Sequence, residues 1–199
     1  MRIRATSLCI LAALVGAAVP ASASAESKQT QQASAVAQQV IVGGQAFGAP
    51  NAADVQTVPG TRAKLLSNGQ AAAPAGAPAE VQQAIWAANR IIGRPYIYGG
   101  GHQRFEDNGY DCSGTVSYAL RGADLIDTPM DSGTFMKWGL AGKGDWITVY
   151  TNPGHAYVVI AGLRLDTSAA GDPRGGKGPR WRPNLRSNRG FRARHVDGL

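Results

Sequence analysis

The clearest hydrophobic periodicity in the chain begins just after Pro78. Apolar residues recur there at intervals of three and four positions, at Val81, Ala84, Ile85, Ala88 and Ile92. That spacing predicts an amphipathic α-helix whose apolar stripe faces a core. Pro78 suits the start of this helix, and Gly93 and Pro95 end it.

A second helix is predicted after a glycine-rich loop at residues 99–101. Its apolar positions also have helical spacing: Cys112, Val116, Ala119, Leu120 and Ala123. Asp111 is a good N-cap residue, so Cys112 lies in the first turn and on the packed face. The unpaired N–H groups and the dipole of a helix N-terminus favour a thiolate at that place. The same N–H groups are donors for an oxyanion formed when a carbonyl is attacked.

Strand patterns dominate the second half of the chain. β-branched and aromatic residues predict three strands: Trp146–Tyr150, His155–Ile160 and Leu163–Ser168. Residues 126–143, which precede them, are predicted to form a loop with one helical turn around Gly133–Trp138. A last edge strand is predicted at Phe191–Val196, and Trp181 is expected to pack on the body of the domain.

The second and third of these strands form a tight hairpin if residues 161–162 are its loop. In that register Tyr157 pairs with Asp166 and His155 pairs with Ser168. Directly opposed residues share a face of the sheet, so His155, Asp166 and Ser168 are predicted to project from one side. A slip of one residue in the register would reverse this assignment.

The N-terminal part of the chain differs in composition from the rest. Residues 1–25 have the basic start, short apolar run and small-residue cleavage site of a secretory signal peptide, and the run is too short to span a membrane. Residues 26–79 are rich in Ala, Gln, Pro and Gly, which predicts a flexible linker. Val40–Val42 and Ala63–Leu66 are pieces of it that could dock as edge strands. The folded domain is expected at residues 80–199, where no segment approaches membrane-spanning length.

Charge and cysteine content narrow the expected surroundings. The net charge of +7 is concentrated toward the C-terminus, in an Arg-rich tail at residues 171–199. This charge favours anionic partners such as cell-wall polymers or is simply a solvated face. Nucleic acid fits less well, because export is predicted and basic and aromatic residues are not interleaved. Cys9 lies in the signal peptide, so the exported chain keeps Cys112 alone. An unpaired cysteine in a secreted protein indicates a reactive thiol or an intermolecular bridge.

Cysteine catalysis needs a thiolate, a base and a group that orients the base. Cys112 at a helix start, His155 at a strand start and Asp166 or Ser168 on the next strand supply these residue types. His102 lies in the glycine loop, where it could line a cleft, and the third histidine is expected at the surface of the Arg-rich tail. Residue types alone favour packing roles over catalysis. No Cys and His spacing indicates a metal site, and no organic cofactor is implied.

Four short motifs occur in a fixed order along the same region. They are GRPYIYGG at residues 93–100, DCSG at residues 111–114, and GD at residues 144–145 ahead of GH at residues 154–155. In this combination and spacing the region from Val81 to Ser168 resembles the NlpC/P60 family of cell-wall cysteine peptidases. Each motif is weak alone, whereas the combination is specific.

The resemblance implies a papain-like α+β domain, in which N-terminal helices carry the nucleophile and pack on an antiparallel sheet that carries the base. Matched by position, Cys112 is the nucleophile and His155 the base. Tyr96 resembles the family tyrosine beside the thiol, which helps hold the substrate or the oxyanion. Asp111 and Ser113 match positions that help recognise the free amino group of a stem peptide in relatives.

The third polar residue departs from the family pattern, in which it is commonly His, Asn or Gln. Asp166 or Ser168 falls near that place here. Asp166 is preferred, because a carboxylate fixes the imidazole tautomer and stabilises its cation more strongly than a hydroxyl. Tyr98 also stands where many relatives have Trp, which is a mild change.

The predicted function is that of a secreted, monomeric bacterial cysteine endopeptidase that hydrolyses peptide bonds in peptidoglycan stem peptides. Such an enzyme would be extracellular or associated with the cell wall. Two alternatives stay open at this point. One is a wall-binding module of the same fold without the chemistry, and the other is a cysteine amidase or acyltransferase acting on a substrate outside the wall.

Overall fold

A computed structural model of the chain describes residues 55–172 and 175–199. The predicted signal peptide, the predicted linker before residue 55 and its Val40–Val42 piece lie outside these ranges. No helix within them is long and apolar enough to cross a bilayer.

The part of the chain that the structure describes contains three helices, a small sheet of three strands and a larger sheet of six strands. Its helices are α1 (Ala79–Ile91), α2 (Cys112–Gly122) and α3 (Ser132–Phe135). Its strands are β1 (Thr57–Val58), β2 (Lys64–Leu65), β3 (Ala71–Pro74), β4 (Leu140–Ala141), β5 (Ile147–Asn152), β6 (His155–Ile160), β7 (Leu163–Leu165), β8 (Trp181–Arg182) and β9 (Arg192–His195). The two predicted helices and the predicted helical turn are therefore confirmed.

The two long helices begin and end where the sequence predicts. Helix α1 follows Pro78, and Gly93 beyond its end has φ +84°, a left-handed value that suits glycine after a helix C-terminus. In helix α2 the Asp111 side chain accepts a hydrogen bond of 2.8 Å from the N–H of Gly114, which satisfies one of the free donors of the first turn. That cap fixes the helix start and, with it, the position of Cys112.

The larger sheet has six strands in the order β4-β9-β5-β6-β7-β8, with antiparallel pairing throughout. The β6–β7 hairpin pairs Ile160 with Leu163 and Val158 with Leu165, so the predicted register is confirmed. Strand β7 ends at Leu165, three residues earlier than predicted. The prediction that the last strand is an edge is wrong, because β9 lies between β4 and β5.

One face of this sheet forms the hydrophobic core with the helices. The side chains that meet there are fully or almost fully buried: Val81, Ala84, Ile85, Val116, Leu120, Ile147, Val149, Ala156, Val158, Ile160 and Leu165. Burial of this apolar surface is the main stabilising contribution to the fold. The predicted α+β class, with helices packed on an antiparallel sheet, is confirmed.

The prediction of a flexible linker up to residue 79 is wrong for residues 55–79. Strand β3 pairs with β1 in parallel and with β2 in antiparallel orientation, and Ala71, Ala72 and Ala73 are at most 1% exposed. The N–H of Ala63 also donates to the carbonyl of Ala161 at 2.9 Å, which ties this segment to the β6–β7 turn. The expected edge strand within Ala63–Leu66 is present as β2.

A single buried amide holds this segment, helix α1 and the C-terminal region together. Asn89 Oδ1 accepts hydrogen bonds of 2.8 Å from the N–H of Ala71 and from Nε1 of Trp181, and Asn89 Nδ2 donates to the carbonyl of Ala71 at 2.9 Å. Alanine-rich composition indicates little apolar surface, but small side chains let β3 lie close to the helix. The expected packing of Trp181 on the domain is confirmed, with 2% of its surface exposed.

The Arg-rich end is not simply a solvated face. Arg182 is fully buried, where it donates to Asp172 Oδ2 at 2.8 Å and to the carbonyls of Gly175 and Gly176 at 2.7 and 2.9 Å. A buried guanidinium needs partners of this kind to offset the loss of water. Part of the basic charge therefore belongs to the interior of the domain.

Candidate active site

Cys112 lies at the start of helix α2 at the bottom of a cleft. It is the one cysteine of the described residues, it is free, and it is 8% exposed. The cleft has a volume of about 530 Å³ and is lined by the glycine loop, the start of α2, residues 131–133 and the turn at residues 153–154. The thiol therefore forms part of the wall of this cleft.

The thiol of Cys112 is hydrogen-bonded to His155, the first residue of strand β6. Burial acts to raise the pKa of Cys112, but the hydrogen bonds from the imidazole and from the N–H of Ala156 outweigh it, and the pKa lies below its usual value. A lowered pKa increases the fraction of thiolate, which is the nucleophilic form of cysteine.

The imidazole of His155 is also hydrogen-bonded to Asp166, through its ring nitrogen Nε2. The distance from His155 Nε2 to Asp166 Oδ1 is 2.9 Å. Burial acts to lower the pKa of His155, but the hydrogen bonds to Asp166 and Cys112 outweigh it and raise that pKa to about 9. Both shifts favour the charged pair of thiolate and imidazolium over the neutral pair of thiol and imidazole.

Of the two candidates for the third residue, Asp166 contacts the imidazole, whereas Ser168 contacts Asp166. The backbone N–H of Ser168 donates to Asp166 Oδ1 at 2.8 Å, and its hydroxyl accepts from the N–H of Ala170 at 3.2 Å. Ser168 therefore helps to hold Asp166 rather than His155. The hairpin register predicts that β6 and the segment after β7 present side chains on the same face of the sheet. Asp166 and His155 meet on that face.

The other carboxylate oxygen of Asp166 faces arginines that the sequence did not single out. Arg186 Nη1 lies 3.2 Å from Asp166 Oδ2, and Arg164 Nε lies 3.7 Å from the same atom. Arg164 was detectable in principle, because it lies two residues before Asp166 on the same side of the hairpin. Arg186 was not, since nothing in the tail sequence indicates which of its arginines returns to the site.

Asp111, Ser113 and His102 form a polar cluster beside the thiol. His102 Nε2 lies 2.9 Å from Asp111 Oδ1 and 3.1 Å from the hydroxyl of Ser113, so the predicted place of His102 in the cleft is confirmed. Asp111 Oδ2 also accepts from the N–H of Gly99 at 3.1 Å. Asp111 thereby joins the glycine loop to the helix start, in addition to lining the cleft.

The glycines of the loop and helix permit a close approach of their backbones. A Cβ on Gly114 would overlap the carbonyl oxygen of Gly100, and Gly101 has φ +80°. Side chains larger than hydrogen are excluded at the first position and strained at the second. The glycine loop therefore serves to bring the cleft wall against the nucleophile helix.

Tyr96 forms part of the cleft wall next to the thiol. Burial and the nearby charges of Cys112 and Asp111 raise the pKa of its phenol, so the group is protonated and can donate a hydrogen bond at neutral pH. Tyr98 is 90% exposed at the cleft entrance. The opposite wall, formed by Asp131 and Ser132 at the start of α3, was not identified from the sequence, because a loop carries no periodic signal.

The chemistry available at this site is that of a thiol and ionisable side chains. Within residues 55–172 and 175–199 no three His, Cys, Asp or Glu side chains are grouped so that they could hold a metal ion. The arrangement places a thiol, an imidazole and a carboxylate in one hydrogen-bonded line. Such a line is suited to nucleophilic attack on a carbonyl group.

Comparison with known proteins gave structural neighbours only. A scan against protein-family models found no match, and a search of curated proteins found none. Among solved structures, the peptidoglycan hydrolase RipB of Mycobacterium tuberculosis is 21% identical, with a TM-score of 0.45 over 94% of this chain and 96% of that one. A hypothetical invasion protein of the same organism is 20% identical, with a TM-score of 0.43 over 80% and 83% of the two chains.

The resuscitation promoting factor interacting protein RipA is a further structural neighbour. It is 22% identical, with a TM-score of 0.42. The match covers 59% of this chain and 62% of the RipA chain, which is less than two thirds of that structure.

Proposed function

We propose that the chain is a secreted cysteine peptidase of the NlpC/P60 type, which hydrolyses peptide bonds in the stem peptides of peptidoglycan. The observation that carries the proposal is the hydrogen-bonded line from Cys112 through His155 to Asp166. The sequence resemblance supplies the substrate class. Export follows from the predicted signal peptide at residues 1–25.

In the first half of the reaction the Cys112 thiolate attacks the carbonyl carbon of the scissile peptide bond. A carbon–sulfur bond forms, and the negative charge moves to the carbonyl oxygen. The N–H groups of the first turn of α2 and the Tyr96 phenol are the donors proposed to stabilise that oxyanion. The His155 imidazolium then gives its proton to the leaving nitrogen, the carbon–nitrogen bond breaks, and a thioester and a free amine result.

In the second half of the reaction water replaces the amine. Neutral His155 takes a proton from water, the hydroxide attacks the thioester carbon, and the carbon–sulfur bond breaks. Cys112 returns as thiolate and His155 as imidazolium, so the sum is one peptide bond and one water converted to a carboxylic acid and an amine. Asp166 keeps its contact with His155 and stabilises the imidazolium in each half.

Residues that line the cleft are proposed to position the substrate. The Asp111 and Ser113 side chains, joined through His102, are proposed to bind the free amino group of a stem peptide, as the matched positions do in relatives. Tyr98 at the entrance offers an exposed aromatic face to the rest of the substrate. The basic charge of the chain favours attachment to anionic wall polymers by long-range attraction.

Digestion of purified peptidoglycan, followed by mass measurement of the released fragments, tests this function. We expect fragments in which one stem-peptide bond has gained one water and both the sugar chain and the sugar–peptide link are intact. Cleavage at the link between sugar and peptide would instead identify an amidase. Sedimentation of the protein with peptidoglycan without any new fragment would identify a wall-binding module.

A further inference from the structure

The two oxygens of the Asp166 carboxylate have different partners. Oδ1 accepts hydrogen bonds from His155 and from the N–H of Ser168. Oδ2 faces Arg186 and Arg164, and the whole side chain is fully buried. The orientation of the carboxylate, and thus of the imidazole, depends on what binds Oδ2 as well as Oδ1.

The two arginines do not bind that oxygen in the same way. Arg164 is fully buried, and within the described part of the chain none of its three guanidinium nitrogens has a hydrogen-bond partner. It lies 3.7 Å from Asp166 Oδ2, so it contributes charge without a directional bond. Arg186 lies at 3.2 Å and donates through Nη1. Arg186 therefore supplies the directional contact with Oδ2.

Arg186 is itself held in a defined position. Its guanidinium lies over the rings of Tyr157 and Phe191, at 5.4 and 5.2 Å from their centres, and its side chain is only 19% exposed. The Phe191 ring also meets the His155 ring edge to face at 6.2 Å. A guanidinium fixed by two aromatic rings is pre-organised, and little conformational freedom is lost when it binds a carboxylate.

We propose that Arg186 is a positioning residue of the cysteine-peptidase site, which fixes the Asp166 carboxylate so that it orients His155 toward Cys112. The proposal rests on the proposed function and extends the site into the Arg-rich tail. Without Arg186 the carboxylate can rotate about its Cβ–Cγ bond and exchange the oxygen that faces the imidazole. The pair of thiolate and imidazolium is then less well aligned and less stable.

Loss of Arg186 should slow the chemical step rather than weaken substrate binding, because Arg186 does not line the cleft. We expect Arg186→Ala to lower kcat on peptidoglycan fragments between about 10- and 100-fold, as loss of an orienting group does in other sites, with KM changed less than about twofold. The pH midpoint for alkylation of Cys112 should move upward, because a less well oriented imidazolium stabilises the thiolate less.

The experiment compares Arg186→Ala, Arg186→Lys and the matched control Arg189→Ala in the full chain. Arg189 lies three residues further along the tail, and its side chain is exposed, so its removal takes away the same charge without a contact to the site. The measurements are kcat and KM on purified muropeptides and the iodoacetamide alkylation rate of Cys112 from pH 5 to pH 10. The alkylation is followed by the mass of the peptide that contains Cys112, because the full chain also contains Cys9. Arg186→Lys keeps the charge but not the planar fork, and its kcat is expected between those of wild type and Arg186→Ala.

Equal kcat values and equal alkylation midpoints for Arg186→Ala and Arg189→Ala would overturn the proposal. If Arg186→Ala does not fold, Arg186→Lys carries the test: a lowered kcat with a raised midpoint supports the proposal, and wild-type values of both overturn it. The alkylation midpoint requires no peptidase activity. A wild-type protein that cleaves no stem peptide would refute the proposed function, while the midpoint would still decide the role of Arg186.

Discussion

Replacing Asp166 with Asn separates the charge of the third residue from its shape. The carboxylate is 1% exposed, and its Oδ1 accepts the hydrogen bond of 2.9 Å from His155 Nε2. The amide of Asn has nearly the same size but no charge, and half of it is a donor that cannot accept from an imidazolium. The variant therefore tests whether His155 depends on a carboxylate for its charge and tautomer.

The size of the effect on pH dependence follows from the pKa of His155, which burial lowers and which the bonds to Asp166 and Cys112 raise to about 9. Imidazolium is present below that pH and is lost above it, so kcat/KM of the wild type should fall on the alkaline side near pH 9. In Asp166→Asn the alkaline limb should move down by about one pH unit or more, because the negative charge is gone. The value of kcat should fall between about 10²- and 10⁴-fold.

The same substitution also affects stability. Asp166 is the carboxylate that lies beside the fully buried Arg164, and its loss leaves that charge less compensated. Breaking a buried ion pair costs about 3–5 kcal/mol. The free energy of unfolding should therefore be measured by urea denaturation at neutral pH, and the kinetics should be measured where the variant is folded.

Ser168→Ala is the matched control for this variant. It removes the hydroxyl that was the other candidate for the third residue, but it keeps the backbone N–H that donates to Asp166 Oδ1. We expect kcat and the alkaline limb to stay near their wild-type values. An Asp166→Asn enzyme with the wild-type alkaline limb, or a Ser168→Ala enzyme with the larger loss of kcat, would refute the assignment of Asp166.

Two further predictions concern the parts of the fold that support the site. Asn89→Leu should lower the free energy of unfolding by about 3 kcal/mol or more, as measured by urea denaturation. The substitution leaves three buried groups without their present partner, namely the N–H and the carbonyl of Ala71 and the indole N–H of Trp181. Ala73→Asp should destabilise the protein by about 3 kcal/mol or more, because a charge would be buried in β3, whereas Ala75→Asp at an exposed position two residues later should not. Equal thermal midpoints for the two aspartate variants would contradict the docking of this segment.

The elements that carry the nucleophile and the base could be predicted from local patterns. The stripe that begins at Cys112 and the cap at Asp111 depend on residues within one or two helical turns. The hairpin register that brings His155 to Asp166 depends on a two-residue turn, in which Ala161 and Gly162 both have positive φ. Short-range rules of this kind act on neighbouring residues, so the sequence displays them directly.

The features that the sequence did not predict depend on contacts between distant parts of the chain. The alanines of β3 have the composition of a linker, and only their packing against Asn89 on helix α1 shows that they belong to the core. Arg186 is one of several tail arginines, and its bond to Asp166 spans 20 residues. The position of β9 between β4 and β5 likewise depends on pairing partners far away in the chain. Local composition carries no information about such partners.

The rate of stem-peptide cleavage by Cys112→Ala, compared with that of the wild type on the same purified muropeptide, tests the central claim most directly. Alanine fits the space of the thiol at the start of α2, so the thermal midpoint should stay close to the wild-type value and show that the fold is kept. We predict that the wild type releases an amine and a carboxylate from one peptide bond and that Cys112→Ala releases neither above the uncatalysed rate. Cleavage of the same bond by Cys112→Ala at the wild-type rate would contradict the account.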